Sequence, residues 1–135
     1  MTDAPVHPEH VRRQLAKILS SRTFANAPRV RQFLSFVVEE SLAGRAPAIN
    51  EPLVAARVFN LADSFDRRRN SIVRAGATHL RKRLRNYYDG EGRTDRVVIE
   101  FPPHGYAPAI RAGGPNRPAS VVRKLFSVFA SVVRR

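Results

Sequence analysis

Residues 78–88 read THLRKRLRNYY, and residues 95–108 read DRVVIEFPPHGYAP. The first stretch places Leu80, Leu84 and Tyr87 at intervals of four and three, which is the spacing of one face of an α-helix. The second begins with a short apolar run and continues through residues that favour a tight connection and a return strand. The pattern therefore predicts a basic amphipathic helix followed by a β-hairpin.

The apolar stripe of this helix extends back through Ala77 to Val73, and Asn70 or Ser71 is expected to cap its start. The face opposite the stripe is rich in cations and is expected to point outward. Its residues are Arg74, Thr78, Arg81, Lys82 and Arg85. Such a face has two interpretations, a surface that contacts nucleic acid or a solvated helix face with no partner.

The rest of the chain predicts three earlier helices and a late one. Helical spacing of apolar residues indicates helices over residues 7–22 and 28–42, and Asn50 can cap a short third helix. Strands are expected over residues 96–101 and 106–110, and a linker over 113–118. The expected organisation is an N-terminal helix at 1–24, a main domain at 25–112, the linker, and a basic amphipathic helix at 119–135.

Charge points to the class of partner. The 135 residues carry 24 Lys and Arg but only 11 Asp and Glu, a formal net charge of +13. This excess indicates a polyanionic partner, either nucleic acid or an anionic membrane surface. The first twenty residues carry charges throughout and no apolar run approaches the length of a membrane span, so a cytoplasmic, nucleoid-associated protein is expected.

Catalytic and metal-binding patterns are missing from the sequence. There is no cysteine, which excludes thiolate zinc sites, and the four histidines do not form a pair at metal-ligand spacing. The sequence has neither a glycine-rich phosphate loop nor a nucleophile elbow, and its carboxylates are scattered. We therefore expect a protein that is not an enzyme and that has no metal or cofactor.

Two motifs together resemble a known family. Residues 73–84, VRAGATHLRKRL, are similar to the end of the recognition helix of OmpR-type and CadC-type effector domains, and residues 98–106, VIEFPPHGY, are similar to their hairpin, which also ends in Gly-Tyr. Val58 and Phe59 resemble the end of the preceding helix of that family. A closer resemblance is to the winged-helix-like N-terminal domains of proteobacterial and acidobacterial regulators that continue into TolB-like or TPR regions.

The resemblance implies a mainly α fold with a small β-hairpin, a winged helix-turn-helix with a three-helix core, an additional N-terminal helix and a C-terminal wing. It also implies that the basic helix enters the major groove of double-stranded DNA, where base edges can be read. Glu100, Pro102 and Pro103 depart from the hairpin of the family, and Glu100 is expected to repel phosphate. The wing contacts are therefore expected to come from Arg96, His104 or Arg111.

The three arginines that precede the basic helix have two interpretations. Arg67, Arg68 and Arg69 are expected either to contact backbone phosphates or to form a charged loop paired with Asp63 and Asp66. The aromatic residues of the two motifs are expected to pack inside the protein rather than to stack on nucleic-acid bases. Tyr87 and Tyr88 are assigned to the core and the helix end, and Tyr106 is expected to hold the hairpin on the core.

The C-terminal amphipathic helix has an apolar side that includes Leu125, Phe126 and Phe129. Such a helix can mediate a homodimer, fold back onto the domain or lie on an anionic membrane, and the N-terminal helix is a second candidate for a dimer contact. The expected function is a DNA-binding transcriptional regulator. The alternative is a protein-interaction or membrane-peripheral adaptor on the same scaffold.

Overall fold

The computed structural model describes residues 6–61 and 68–113, with the backbone alone of Arg68. These residues form four α-helices and one β-hairpin, which confirms the mainly α fold with a small hairpin. The helices are α1 Pro8–Leu19, α2 Pro28–Leu42, α3 Glu51–Val58 and α4 Arg68–Asp89, and the strands are β1 Val97–Glu100 and β2 Ala109–Ala112. The strands pair antiparallel, with Val97 opposite Ala112 and Glu100 opposite Ala109.

Local chemistry explains where three of the helices start or stop. The Asn50 side chain accepts a hydrogen bond from the Leu53 amide at 2.9 Å and caps α3 as expected. After α2, Gly44 adopts a φ of +83°, a conformation that favours glycine and turns the chain away from the helix. α1 ends at Leu19, three residues earlier than expected, and the Ser21 hydroxyl donates to the Ile18 carbonyl at the helix end.

The start of α4 and the return strand differ from the sequence-based expectation. α4 begins at Arg68, so Asn70 and Ser71 lie inside its first turn, and the expectation that either one caps the helix is wrong. The return strand was expected at 106–110 but runs from Ala109 to Ala112. The reason is that Tyr106 packs on the helical core beside Phe33 instead of pairing with β1.

The hydrophobic core forms around α2. Phe33, Leu34, Val37 and Val38 are fully buried and pack in one cluster with the α4 stripe. The same cluster includes three residues of α1, namely Val11, Leu15 and Ile18. Full burial of each such side chain contributes about 1.5 to 3 kcal/mol. Because these residues form one cluster, α1 shares its core with α2 and α4, across the boundary expected between residues 24 and 25.

A glycine sets the distance between α3 and α4. A Cβ atom added at Gly76 would lie 2.6 Å from Cζ of Phe59, a contact that real side chains do not make. Phe59 in turn meets Phe33 edge-on, with ring centroids 6.0 Å apart. The close approach of α4 to the end of α3 thus depends on the missing side chain at residue 76.

Several expectations lie outside the described residues. These are the C-terminal helix with Leu125, Phe126 and Phe129, nearly all of the linker at 113–118, Arg67, and the side chain of Arg68. Asp63 and Asp66, the alternative partners of the arginine cluster, also lie outside. Across residues 6–61 and 68–113, none of the helices combines the length and apolar character needed to cross a bilayer.

Candidate functional site

The solvent face of α4 is a basic surface that runs along the longest helix among the described residues. The exposed side chains along it are Asn70, Ser71, Arg74, Ala75, Thr78, His79, Lys82 and Asn86. Residues 68–88 contain no Asp or Glu, and Asp89, the last residue of the helix, is the first acid. The buried stripe of Val73, Ala77, Leu80 and Leu84 fixes this orientation, because it attaches the opposite side of the helix to the core.

Arg74 and Thr78 lie on the N-terminal half of the exposed face. The Arg74 side chain is 69% exposed, and its Nε lies 3.2 Å from Oε2 of Glu51 on α3. An ion pair this exposed is worth about 0 to 1 kcal/mol, so the guanidinium can exchange this carboxylate for another anion. The Thr78 hydroxyl donates to the Arg74 carbonyl at 3.0 Å, which leaves its methyl group and lone pairs toward solvent.

Arg81 does not project freely into solvent, and the expectation that it points outward is wrong. Its side chain is half-buried, with Nε donating to the carbonyl oxygen of Pro102 at 2.7 Å. Its guanidinium carbon lies 5.2 Å from the centre of the Phe101 ring, a cation–π geometry. Burial lowers the pKa of Arg81 below its ordinary value, opposed by the electrostatic effect of Tyr106. Arg81 thus fastens the hairpin connection to α4.

Lys82 is the cation of α4 that best fits the outward orientation. Its side chain is exposed, and it forms no hydrogen bond or ion pair with other described residues. Arg85 and Arg69 are half-buried, and each is engaged in an interaction. The four cations that the sequence assigned to this face therefore divide into two exposed residues, Arg74 and Lys82, the half-buried Arg85, and Arg81, which holds the hairpin connection.

Arg83 lies on the other flank of α4. Its Nη1 donates to the carbonyl oxygen of Thr23 at 2.6 Å, in the turn between α1 and α2. The same turn is held by Glu91, whose carboxylate accepts from the Thr23 hydroxyl at 2.8 Å and from two backbone amides. These hydrogen bonds, led by that from the Thr23 side chain, lower the pKa of Glu91 although burial opposes them. Arg83 therefore orients the turn.

The hairpin presents less negative charge than the sequence indicates. Nη2 of Arg111 lies 2.7 Å from Oε1 of Glu100, and both side chains are largely buried. The pair neutralises Glu100, so the expected repulsion of phosphate is offset, and it also engages Arg111, one of the expected wing contacts. Arg96 and His104, the other expected contacts, are exposed.

Tyr106 holds the hairpin on the helical core, as expected. Its hydroxyl donates to Oε2 of Glu51 at 2.8 Å, and its ring stacks on Phe33 with centroids 6.4 Å apart. Burial, followed by this hydrogen bond to a carboxylate, raises the pKa of Tyr106 to about 12. Since Glu51 also pairs with Arg74, the hairpin tip and the exposed face of α4 share one acidic residue of α3.

The expectation that Tyr87 and Tyr88 pack in the core is confirmed. Both are buried, and their rings meet edge-on with centroids 5.0 Å apart. The Tyr88 hydroxyl donates to the Val97 carbonyl at 3.0 Å and accepts from the Ile99 amide at 2.9 Å. Burial is the main cause that raises the pKa of both tyrosines. They connect the C-terminal end of α4 to β1.

The sequence did not identify the buried acceptor of this region, Asp95. Its Oδ2 accepts from Gln14 at 2.8 Å and from the Tyr87 hydroxyl, and its Oδ1 accepts from Lys17 at 2.6 Å. One signal was present, because Gln14 is a polar residue on the apolar face formed by Val11, Leu15 and Ile18. The exposed residues Ser71 and His79 of α4 were also missed as surface candidates, although the helical stripe leaves both outside.

Comparisons with known proteins identify no relative. No protein-family model matches the chain, and searches of curated proteins and of solved structures find no significant match. Within residues 6–61 and 68–113, there is also no group of three His, Asp or Glu side chains that could hold a metal ion. The interpretation of the α4 surface therefore rests on its own geometry and charge.

Proposed function

We propose that this chain binds double-stranded DNA and acts as a transcriptional regulator of the winged helix-turn-helix type, with α4 as the recognition helix and the hairpin as the wing. The observation that carries the proposal is the solvent face of α4, which is cationic and has no carboxylate from residue 68 to 88. A solvated helix face usually mixes both signs of charge, whereas a helix that approaches phosphates excludes acids.

The roles of the α4 residues follow from their exposure. The exposed residues Arg74, Thr78 and Lys82 are assigned to the major groove, where long cationic and hydroxyl side chains reach base edges and phosphates, and the half-buried Arg85 is assigned to the margin of the same surface. The small exposed residues Ser71 and Ala75 allow the N-terminal half of the helix to approach closely. Arg81 becomes a positioning residue, since its guanidinium is held by the hairpin connection.

The hairpin supports the proposal through its placement. Arg81 and Tyr106 attach it beside α4, and its exposed His104 lies in the connection between the strands. We assign phosphate contacts to His104 and to the arginines at 67–69, which precede or begin the recognition helix. Arg96 is exposed immediately before β1 and can add a further phosphate contact.

Titration of fluorescently labelled duplex DNA at several salt concentrations tests the proposal. Each phosphate contact adds about 0.9 to the slope of log affinity against log salt, because bound cations displace condensed counterions. Four or more contacts therefore give a slope of about −3.6 or steeper. A slope near zero, or no measurable binding at about 50 mM salt, would show that the basic face of α4 is only a solvated surface.

Target selection supplies the second measurement. Several rounds of selection from a random duplex library are expected to enrich one sequence, since side chains in the major groove discriminate between base pairs by about 1 to 3 kcal/mol each. Two copies of that sequence separated by about one helical turn would indicate a homodimer. Enrichment of no sequence, together with a steep salt slope, would restrict the function to non-specific DNA binding.

A further inference from the structure

A second basic feature lies away from the α4 face, in a cleft between α1 and the segment that precedes β1. The cleft has a volume of about 500 Å³. On α1 it is lined by His10, Arg13 and Lys17, which helical spacing places on one side, and across from them lie Thr94 and Arg96. With Gln14, which also lines the cleft, six side chains that can donate hydrogen bonds surround one open space.

The single carboxylate of the cleft is already compensated. Asp95 is among the lining residues, but its side chain is 3% exposed and both its oxygens accept hydrogen bonds. Lys17 binds one oxygen, and Gln14 and Tyr87 bind the other. The negative charge of Asp95 is thus compensated by its own hydrogen-bond donors. Asp95 does not pair with the other two cations of the cleft, Arg13 and Arg96.

Arg13 and Arg96 keep their positive charges available. Both are exposed, and neither side chain forms a hydrogen bond or an ion pair with the other described residues. The planar fork of an arginine matches the oxygens of a phosphate group, and two arginines on facing walls can bind one phosphate from opposite sides. The Thr94 hydroxyl and the His10 imidazole supply further donors.

We propose that this cleft binds a small phosphorylated ligand, of the size and charge of a nucleoside monophosphate. The volume falls within the range of about 300 to 1,000 Å³ typical of small-molecule sites. Val97 is the apolar side chain in a lining that is otherwise polar or charged, so the ligand is polar and anionic rather than hydrophobic. This proposal does not depend on the proposed DNA function, although Arg96 is assigned to both surfaces.

Binding in the cleft would act on the junction between α1 and the rest of the fold. Asp95 forms the floor and hydrogen-bonds to both α1 and Tyr87 of α4. A ligand held between Arg13 and Arg96 would join α1 to the segment before β1, which carries Asp95, from the solvent side. It would therefore raise the melting temperature of the whole domain, as any ligand selective for the folded state does.

The test is an amide NMR titration of the full chain with adenosine 5′-monophosphate, at constant ionic strength, with adenosine as the uncharged control. We expect saturable shifts centred on Arg13, Thr94 and Arg96 with the monophosphate but not with adenosine. Inorganic phosphate is expected to shift the same amides more weakly. The R13Q/R96Q double variant is expected to weaken monophosphate binding at least about tenfold, since it removes two charge-assisted contacts.

The matched control is the R31Q/R57Q double variant, which removes the same charge from two exposed arginines outside the cleft. It is expected to bind the monophosphate as the unmodified chain does. An equal loss in both double variants would overturn the proposal, because it would show a general attraction of anions to a basic protein. Shifts of these amides with duplex DNA, but with neither the monophosphate nor phosphate, would also overturn it and assign the cleft to the DNA surface.

Discussion

Arg81 of α4 donates a hydrogen bond to the carbonyl oxygen of Pro102 at 2.7 Å, while its guanidinium lies over the neighbouring Phe101 ring. A residue that belongs by sequence to a basic helix face thus holds the hairpin in place together with Tyr106 and Tyr88. The angle between the helix and the hairpin controls which surface a duplex can meet. In the proposed function, Arg81 therefore acts through the position of the hairpin rather than through a charge that contacts DNA.

The first prediction concerns stability. R81Q removes a charged donor from a half-buried carbonyl and breaks the ring contact, so it is expected to lower the free energy of unfolding by about 1 to 3 kcal/mol. K82Q changes the adjacent exposed residue and is expected to alter it by less than about 0.5 kcal/mol. Urea denaturation followed by circular dichroism measures both. Equal losses would contradict a positioning role for Arg81.

The second prediction separates the exposed cations of α4 from cations elsewhere. K82Q is expected to weaken DNA binding and to reduce the magnitude of the salt slope by about 0.9, since it removes one phosphate contact. R31Q, which changes an exposed residue of α2, is expected to leave the slope unchanged. Fluorescence anisotropy with one duplex at four salt concentrations provides the comparison. The same decrease in both variants would show that net charge alone drives binding.

The third prediction concerns acid stability. Burial raises the pKa of Asp95, but the hydrogen bonds from Gln14, Lys17 and Tyr87 outweigh it and hold the pKa below its ordinary value. A carboxyl whose pKa is lower in the folded state stabilises the fold above its unfolded pKa. That contribution declines as the pH falls through about 4, the ordinary value for Asp, to the lower folded value.

D95N is accordingly expected to cost about 2 to 3 kcal/mol at pH 7 and to flatten the fall of stability below about pH 4. E39Q is the control, because Glu39 lies 3.5 Å from Arg12 in an exposed ion pair worth about 0 to 1 kcal/mol. Thermal unfolding between pH 2.5 and pH 7 measures both variants. An acid dependence in D95N identical to that of the unmodified chain would assign the acid loss to other carboxylates.

The fourth prediction tests the contact between α3 and α4. G76A introduces a methyl group that would overlap Phe59, so it is expected to destabilise the fold by about 1 to 3 kcal/mol although alanine favours helices. A75S at the exposed neighbouring position is expected to change stability by less than about 0.5 kcal/mol. Calorimetry of both variants checks the difference. A stabilised G76A would mean that Phe59 moves aside without loss.

The fold was largely predictable where short-range signals determine it. The bounds of α2 agree with the expected 28–42, and the side chain of Asn50 caps α3 as its position indicated. The start of α4 was not predictable in this way. Asn70 and Ser71 are good capping residues, but the helix continues through them to Arg68.

The site was less predictable, because helical periodicity separates a buried side from an exposed one but does not say what lies beside the flanks. Arg81 meets a carbonyl 21 residues away, and Arg83 meets one 60 residues away on the opposite flank. Both partners are backbone atoms, which carry no signature in the sequence. The outward positions of Lys82 and Thr78 follow from the stripe alone and agree with the expectation.

The hydrogen bond between Gln14 and Asp95 joins residues separated by 81 positions. During synthesis, Gln14 on the buried face of α1 has no acceptor until Asp95 has been made. Long-range closures of this kind slow folding, and they leave apolar surface uncovered in the meantime. α1 is therefore synthesised well before the residue that completes its buried hydrogen bonds, and its apolar face depends for its cover on a segment 81 positions further along the chain.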